Sequence, residues 1–359
     1  MKKIFIIIDN ITNRAGTERA VTNLSNILVQ LNYDVTIVSV KSKEGNCPYE
    51  LSSSTKLVHL GKNYRNKLNS GIFFSRVIYR LYFFISVLLY LLRHKIDYVI
   101  GTDFLFNQII AFLPKKIKKI GCEHFNFEIY NKKDISLIQF LYKKLDAVVL
   151  LTYRDSKNYH FLKNLYVIPN SLSFIPSKLS DCKNKKMISI GRFTFQKGYD
   201  LLIDTINLIK DHLNGWIVEL YGYGEDKEKL LNKINENGLD RIIYLKDNTT
   251  DVESVYASSS IYLSSSRYEG LPMVLIESQS CGLPAVSFDC PCGPSDIIIE
   301  GKTGFLVPLG DVKKMSEKIL ELINNEELRI KMGKQAAIES RRFSTEKISE
   351  MWKNLLEKI

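Results

Sequence analysis

The stretch Ser264-Ser265-Ser266-Arg267-Tyr268-Glu269-Gly270-Leu271-Pro272-Met273-Val274-Leu275-Ile276-Glu277 joins two readable elements and decides how the chain folds. The residues before it, Ile261-Tyr262-Leu263, form an apolar run that reads as a short buried strand. Pro272 reads as the first helical position, where a missing N–H costs nothing because first-turn donors have no partner inside the helix. Gly282 and Pro284 then read as the C′ glycine and the breaker that follows it. Strand, loop and helix N-terminus thus follow in order, with Glu269 in the loop and Glu277 inside the helix. Such a terminus offers free N–H groups and partial positive charge, which suit a phosphate or a polarised sugar oxygen. The two carboxylates are expected to border one crevice, and the rest of the chain must supply its other wall.

Outward from this stretch, strands and helices alternate in both directions. The second half reads as strands at 186–191, 216–221, 242–245, 260–263, 285–288 and 304–307. The first half opens on Ile4–Ile8, a branched apolar run suited to a strand buried on both faces. A helical pattern over 17–31 and a second strand, Val35–Val40, complete a βαβ unit with a right-handed crossover. Further strands are expected at 56–60, 97–101, 119–122 and 147–151, with a helix over 135–145. Residues 173–186 are polar and read as a linker. The fold class is therefore α/β, with two doubly wound Rossmann-like domains facing each other across a cleft. Residues 1–172 form the first domain and 173–341 the second. The amphipathic segment 342–359 is expected to pack back on the first.

A chain of 359 residues is long for one core, in keeping with two domains. The net charge of +11 is uneven. Residues 1–170 carry 25 Lys+Arg against 12 Asp+Glu, and the remainder 25 against 27. A basic half suits nucleic acid, anionic lipid or a phosphorylated ligand. No nucleic-acid module is present, whether zinc-finger spacing, ribonucleoprotein aromatics or a basic zipper, so no nucleic-acid partner is expected. The six cysteines lack paired metal spacing, and Cys290-Pro291-Cys292 is too tight for a usual zinc half-site. No metal site is expected, and reduced thiols suit a cytosolic protein. Lys2 and Lys3 precede an apolar run that Asp9 ends too early for a signal peptide.

Residues 71–93 are the most apolar region, with Arg76 and Arg80 interrupting it. The uninterrupted run is shorter than the ~20 residues a bilayer requires. A helix packed on the sheet is one reading. A helix in the membrane interface, its arginines snorkelling to phosphates and assisted by Lys115-Lys116-Ile117-Lys118-Lys119, is the other.

Gly191-Arg192-Phe193-Thr194-Phe195-Gln196-Lys197-Gly198 leaves the carboxyl end of the second half's first strand, where open α/β sheets bind ligands. Arg192 and Lys197 can turn toward one anion, and a guanidinium fork with an ammonium suits a diphosphate. Gly222-Tyr223-Gly224 tempts a dinucleotide reading, but Lys227 stands where a third glycine is needed.

Taken together, these segments resemble the retaining glycosyltransferases of family 4, which have the GT-B fold. The resemblance rests on Gly191-Arg192 with Lys197-Gly198, and on Glu269-Gly270-Leu271-Pro272 through Glu277, the family's Glu-x7-Glu pattern. Gly16-Thr17-Glu18-Arg19, Pro169-Asn170 and Gly301-Lys302-Thr303-Gly304 support it. It covers nearly the whole chain and is strongest from 186 to 310.

The resemblance implies a nucleotide-diphosphate sugar as donor, a substrate rather than a cofactor, with no metal. Arg192 and Lys197 would neutralise the departing diphosphate. Gly270 and Leu271 would offer backbone N–H groups, and Glu277 would accept from the ribose hydroxyls. Glu269 would stand beside the sugar, and His124, after a first-domain strand, would contact the sugar or the acceptor. Gly16 would let the backbone approach the diphosphate, which a Cβ would block. The family often has two glycines there, and this chain has Ala15-Gly16. The implied activity is transfer of a hexose or N-acetylhexosamine, from a UDP-linked donor, to a glycan or lipid-linked oligosaccharide acceptor in bacterial surface polysaccharide (capsule, O-antigen or similar). The expected location is cytoplasmic, with peripheral contact at the inner face of an anionic membrane. The rival readings are a phosphorylase or epimerase of the same architecture, and an inactive nucleotide-sugar-binding subunit.

Overall fold

The computed structural model describes residues 1–61 and 73–359, without the side chains of 73–80. The chain divides into two units, Met1–Ser171 together with Thr345–Ile359, and Leu172–Ser344. Each is an α/β layer structure built on a parallel sheet.

The first unit holds β1 (Lys3–Ile8), β2 (Asp34–Ser39), β3 (Lys56–His59), β4 (Tyr98–Gly101), β5 (Lys118–Glu123), β6 (Ala147–Leu150) and β7 (Leu165–Val167). Their spatial order is β3-β2-β1-β4-β5-β6-β7, and every pairing is parallel. Ile4 in β1 stands between Val35 and Tyr98 of its two neighbours. Alternation along β1 sends side chains into two cores, as a central parallel strand requires. Ile4, Ile6 and Ile8 join Val21, Leu24, Ile27 and Leu28 of the helix Gly16–Gln30. Ile348, Trp352, Leu355 and Leu356 of the helix Thr345–Lys358 complete that cluster. Phe5 and Ile7 face the opposite way, into Val87 and Leu91 of the helix Phe73–Leu92 and Phe106 and Ile109 of the helix Phe104–Ile110.

The apolar region read over 71–93 thus contains a helix that buries Phe83, Val87 and Leu91 and exposes Leu81, Tyr82, Ile85 and Leu89. Residues 71–72 and the side chains of Arg76 and Arg80 lie outside the described residues. Among the described residues no helix is long and apolar enough to cross a membrane. The lysine run is not one solvated cluster. Lys118 and Lys119 begin β5, Lys119 is buried and Lys118 pairs with Asp146 at 3.7 Å, which leaves Lys115 and Lys116 exposed.

The second unit holds β8 (Lys186–Ile190), β9 (Ile217–Tyr221), β10 (Ile243–Lys246), β11 (Ile261–Ser264), β12 (Ala285–Asp289) and β13 (Gly304–Pro308). Their order is β10-β9-β8-β11-β12-β13, again all parallel. The chain runs outward from β8 to β10, then returns to β11 on the other side of β8. That reversal opens a crevice beyond the carboxyl ends of β8 and β11, the ligand position of doubly wound sheets. Leu202, Ile203 and Ile206 of the helix Tyr199–Ile209 and Met315, Ile319 and Leu322 of the helix Val312–Asn324 fill one core with Met187, Val218 and Leu263. The helix after β11 runs Met273–Ser280, with Pro272 extended in front of it as the cap. Gly282, at φ +84°, follows the capping residue Cys281.

Candidate functional site

The loops that leave β8 and β11 are laced together residue by residue. The Arg267 N–H donates to the Gln196 carbonyl at 2.8 Å, and Ser265 Oγ donates to the Lys197 carbonyl at 2.8 Å. Gln196 Nε2 returns a bond to the Tyr268 carbonyl at 3.1 Å. Arg267 forks onto both oxygens of Asp200, at 2.8 and 2.6 Å, donates to the Phe195 carbonyl and lies 4.0 Å from the centre of the Phe195 ring. A bidentate, stacked guanidinium holds direction as well as distance. Gly198 sits at φ +63°, and a Cβ there would stand 2.1 Å from the Ser265 carbonyl oxygen. The glycine is what lets the two loops touch.

The tight Gly222-Tyr223-Gly224 run has the same origin. A Cβ on Gly222 would stand 2.0 Å from the Gly191 carbonyl oxygen, and one on Gly224 would stand 2.2 Å from that of Phe193. The Phe193 N–H donates to the Tyr223 carbonyl at 2.7 Å. These glycines pack the loop after β9 against the loop after β8, which is a reason unconnected with dinucleotides.

Within this frame Lys197 Nζ and Glu269 Oε1 form an ion pair at 2.7 Å, and Ser266 Oγ donates to the same oxygen at 2.7 Å. Both charged side chains are largely buried. A Cβ on Gly191 would lie 3.0 Å from Lys197 Cε, so that glycine makes room for the lysine stem. Arg192 is exposed, and its side chain makes no hydrogen bond or ion pair with the described residues. The N–H groups of Gly270 and Leu271 likewise make no hydrogen bond with the described residues. Lys197 and Glu269 are thus held against each other where the loops after β8 and β11 meet, and Gly270 and Leu271 follow Glu269 along the chain toward the helix Met273–Ser280. Glu277 lies deeper. Its residue has no exposure, Oε1 accepts from Ser173 Oγ at 2.9 Å, and Oε2 accepts from the Tyr256 hydroxyl at 3.4 Å.

Gly16 and His124 belong to the first unit. Gly16 opens the helix Gly16–Gln30, with Ala15 before it giving no side-chain cap, and a Cβ on Gly16 would meet nothing within 4 Å. Among the described residues no packing demands that glycine. His124 follows β5, and desolvation pushes its imidazole down to about 4, so it is neutral near pH 7. It lines a concavity with Leu24, Cys122, Asn170, Ser171 and Trp352. Among the described residues no group of three His, Cys, Asp or Glu could hold a metal ion.

Sequence reasoning missed the Arg267–Asp200 fork, the Ser266 bond to Glu269 and the Ser173 bond to Glu277. A loop arginine directly before Tyr268-Glu269 was the one available signal for the first. The two serines carry no signal until their partners are brought near by the fold.

The comparisons with known proteins agree with this architecture. The family described as "Glycosyl transferases group 1" matches residues 173–338. The amylovoran biosynthesis glycosyltransferase AmsD of Erwinia amylovora is 31% identical over 372 residues, spanning 99% of this chain and all of that one. The poly(ribitol-phosphate) alpha-N-acetylglucosaminyltransferase of Staphylococcus aureus is 31% identical over 255 residues, 67% of this chain and 51% of that protein. Among solved structures, TarM superposes with a TM-score of 0.83 at 20% identity, covering 99% of this chain and 98% of that one. A TarM mutant from S. aureus, solved in complex with Fondaparinux, alpha-GlcNAc-glycerol and UDP, gives 0.80 at 20% identity, covering 99% of each chain. The fold is that of the GT-B glycosyltransferases. The chain belongs to the group 1 glycosyltransferases and is a transferase enzyme, related to enzymes of polysaccharide biosynthesis.

Proposed function

We propose that the protein transfers a hexose or N-acetylhexosamine from a UDP-linked donor to a glycan acceptor of a bacterial surface polysaccharide, with retention at the anomeric carbon and without a metal. The observation that carries the reading is the Lys197–Glu269 ion pair joining the loops after β8 and β11, the same loops that carry Arg192 and the N–H groups of Gly270 and Leu271. Arg192, Lys197 and those N–H groups match a diphosphate in charge and in donor number. UDP in the TarM mutant complex and the names of the two relatives support the donor and the acceptor class.

In this reading the bond from the anomeric carbon to the β-phosphate oxygen breaks while the acceptor oxygen bonds to the same face of that carbon. The acceptor proton passes to the departing phosphate oxygen. Arg192 and Lys197 stabilise the negative charge that develops on the diphosphate, and the Gly270 and Leu271 N–H groups add fixed donors. Lys197 leaves Glu269 as it turns to the phosphate, and Glu269 is then available to the sugar and to the positive charge at its anomeric carbon. The ribose hydroxyls take over the bond that Ser173 makes to Glu277. His124, neutral near pH 7, hydrogen-bonds the sugar or the acceptor, and Gly16 admits the diphosphate close to the backbone. The exposed Leu81, Tyr82, Ile85 and Leu89, with Lys115 and Lys116, favour peripheral contact with an anionic membrane and a lipid-linked acceptor.

Titration calorimetry with UDP checks the donor site. Arg192→Ala, Lys197→Ala and Glu277→Ala are each expected to weaken binding, and unchanged affinity in all three sinks the assignment. Sedimentation with anionic vesicles checks the membrane reading, which fails if the protein stays in the supernatant at low salt.

A further inference from the structure

β5 ends on Glu123, and His124 is the next residue. Side chains alternate faces along a strand. Cys122 and His124 line the concavity described above, while Gly121 and Glu123 turn to the opposite face of the sheet. There Glu123, 2% exposed, meets three donors from three separate segments. Its Oε1 accepts from Asn107 Nδ2 at 2.8 Å and from the Tyr142 hydroxyl, and its Oε2 accepts from the Tyr130 hydroxyl at 2.6 Å. Asn107 Nδ2 also donates to the Cys122 carbonyl at 3.2 Å, tying the strand end itself.

Two neighbouring strands are left bare to admit this cluster. A Cβ on Gly101 would stand 2.4 Å from Asn107 Oδ1, and one on Gly121 would stand 3.0 Å from Asn107 Cγ. A carboxylate in such a place is costly to desolvate, and an apolar residue would fill the volume at less cost. What the carboxylate adds is direction, since three charge-assisted bonds fix the strand end from three sides.

We propose that Glu123 is the positioning residue for His124. By pinning the end of β5 against Asn107, Tyr130 and Tyr142, it fixes the direction in which the histidine leaves the strand on the other face. The proposal rests on the reading of His124 as a residue at the sugar or acceptor. The titratable groups around Glu123 are Tyr130 and Tyr142 in contact, Asp103 from the turn after β4, the Cys122 thiol and, beyond the two tyrosines, Tyr159. Burial raises Glu123 to about 7, whereas His124 is pushed down to about 4. Acidification through neutrality therefore protonates Glu123, and at its lower end Asp103, while His124 stays neutral.

The test compares Glu123→Gln, His124→Ala and the double variant in the full chain. Turnover is followed with whichever of UDP-glucose, UDP-galactose or their N-acetyl forms raises the melting temperature most, and the His124 imidazole resonance is followed by NMR. Glu123→Gln is expected to lower kcat roughly ten- to hundredfold with donor KM unchanged, the cost of a misplaced group. It is also expected to abolish the fall in rate between about pH 8 and 6 and to move the His124 resonance. The double variant should be no slower than His124→Ala alone. Wild-type kcat and pH profile in Glu123→Gln overturn the proposal, as does a double variant slowed by both factors multiplied. Wild-type kcat in His124→Ala refutes the reading of the histidine itself, and the positioning role with it. If Glu123→Gln unfolds, Tyr130→Phe removes one donor and leaves the carboxylate. A His124 resonance unmoved in that variant also overturns the proposal.

Discussion

The two units share a plan and differ in how they hold the ligand ends of their strands. In the second, the loops after β8, β9 and β11 are bound to one another in pairs, through backbone hydrogen bonds, Arg267 on Asp200 and Lys197 on Glu269. Its Lys197–Glu269 pair lies largely buried within that lacing. In the first, the end of β5 is held from beneath by a buried carboxylate and three side-chain donors. Loop lacing suits a site that must grip a charged ligand at fixed spacing. A buried polar anchor suits one that must aim a single uncharged side chain.

The comparison can be broken most forcefully at Gly198. An alanine there must both adopt a left-handed backbone and displace the Ser265 carbonyl. Gly198→Ala is expected to destabilise the second unit by about 3 kcal/mol, the upper range for overpacking, as measured by urea unfolding. Survival of the melting temperature in that variant contradicts the lacing.

Arg267→Ala comes next. Losing a bidentate, partly buried guanidinium is expected to cost about 2 kcal/mol, in the range for hydrogen bonds to charged groups. Limited proteolysis should show faster cleavage in 192–198 and 264–270, and unchanged cleavage there would make the fork incidental.

In the first unit, Glu123 links stability to pH. Its carboxyl is raised from the ordinary 4.5 to about 7, so between those values the folded chain holds a proton that the unfolded chain has lost. Stability from this group is therefore present below about pH 4.5 and is lost as pH rises toward 7, with a slope of at most about 1.4 kcal/mol per pH unit. Glu123→Gln should remove that slope from a series of denaturation curves. A slope identical to wild type would mean that the carboxyl titrates at its ordinary value.

Gly16→Ala is the smallest perturbation. With open space around the position, stability should change by no more than about 0.5 kcal/mol. Any larger loss must then appear in UDP affinity, which separates a glycine kept for a ligand from one kept for packing.

These positions also mark how much the sequence discloses. Strand runs such as Ile4–Ile8 announce both sheets because a strand buried on both faces needs little more than branched apolar residues. The 192–198 and 264–277 segments are legible because their glycines, prolines and charges lie close together along the chain. Glu123 is not, since Asn107 and Tyr142 come from distant positions and nothing local distinguishes a buried glutamate from a solvated one. The strand expected from Lys119 is found and begins one residue earlier, at Lys118, whereas the pairing of Lys118 with Asp146 is not legible, because no spacing along the chain connects them. Glu277 is expected to border the crevice, whereas the residue is fully buried, and the bonds it accepts from Ser173 and Tyr256 come from positions that no spacing connects to it.

The return of the last helix to the first unit has a further consequence. Ile348, Trp352, Leu355 and Leu356 complete a core begun by Ile4, Ile6 and Ile8, so the second unit is an insertion within the first. During synthesis, residues 172–344 can reach their native contacts as soon as they emerge, while the earlier unit waits for the last residues to be made. The half that is translated first is the half that finishes folding last. A released chain truncated after residue 344 should therefore resist protease across the second sheet and remain open to it along the helix Gly16–Gln30.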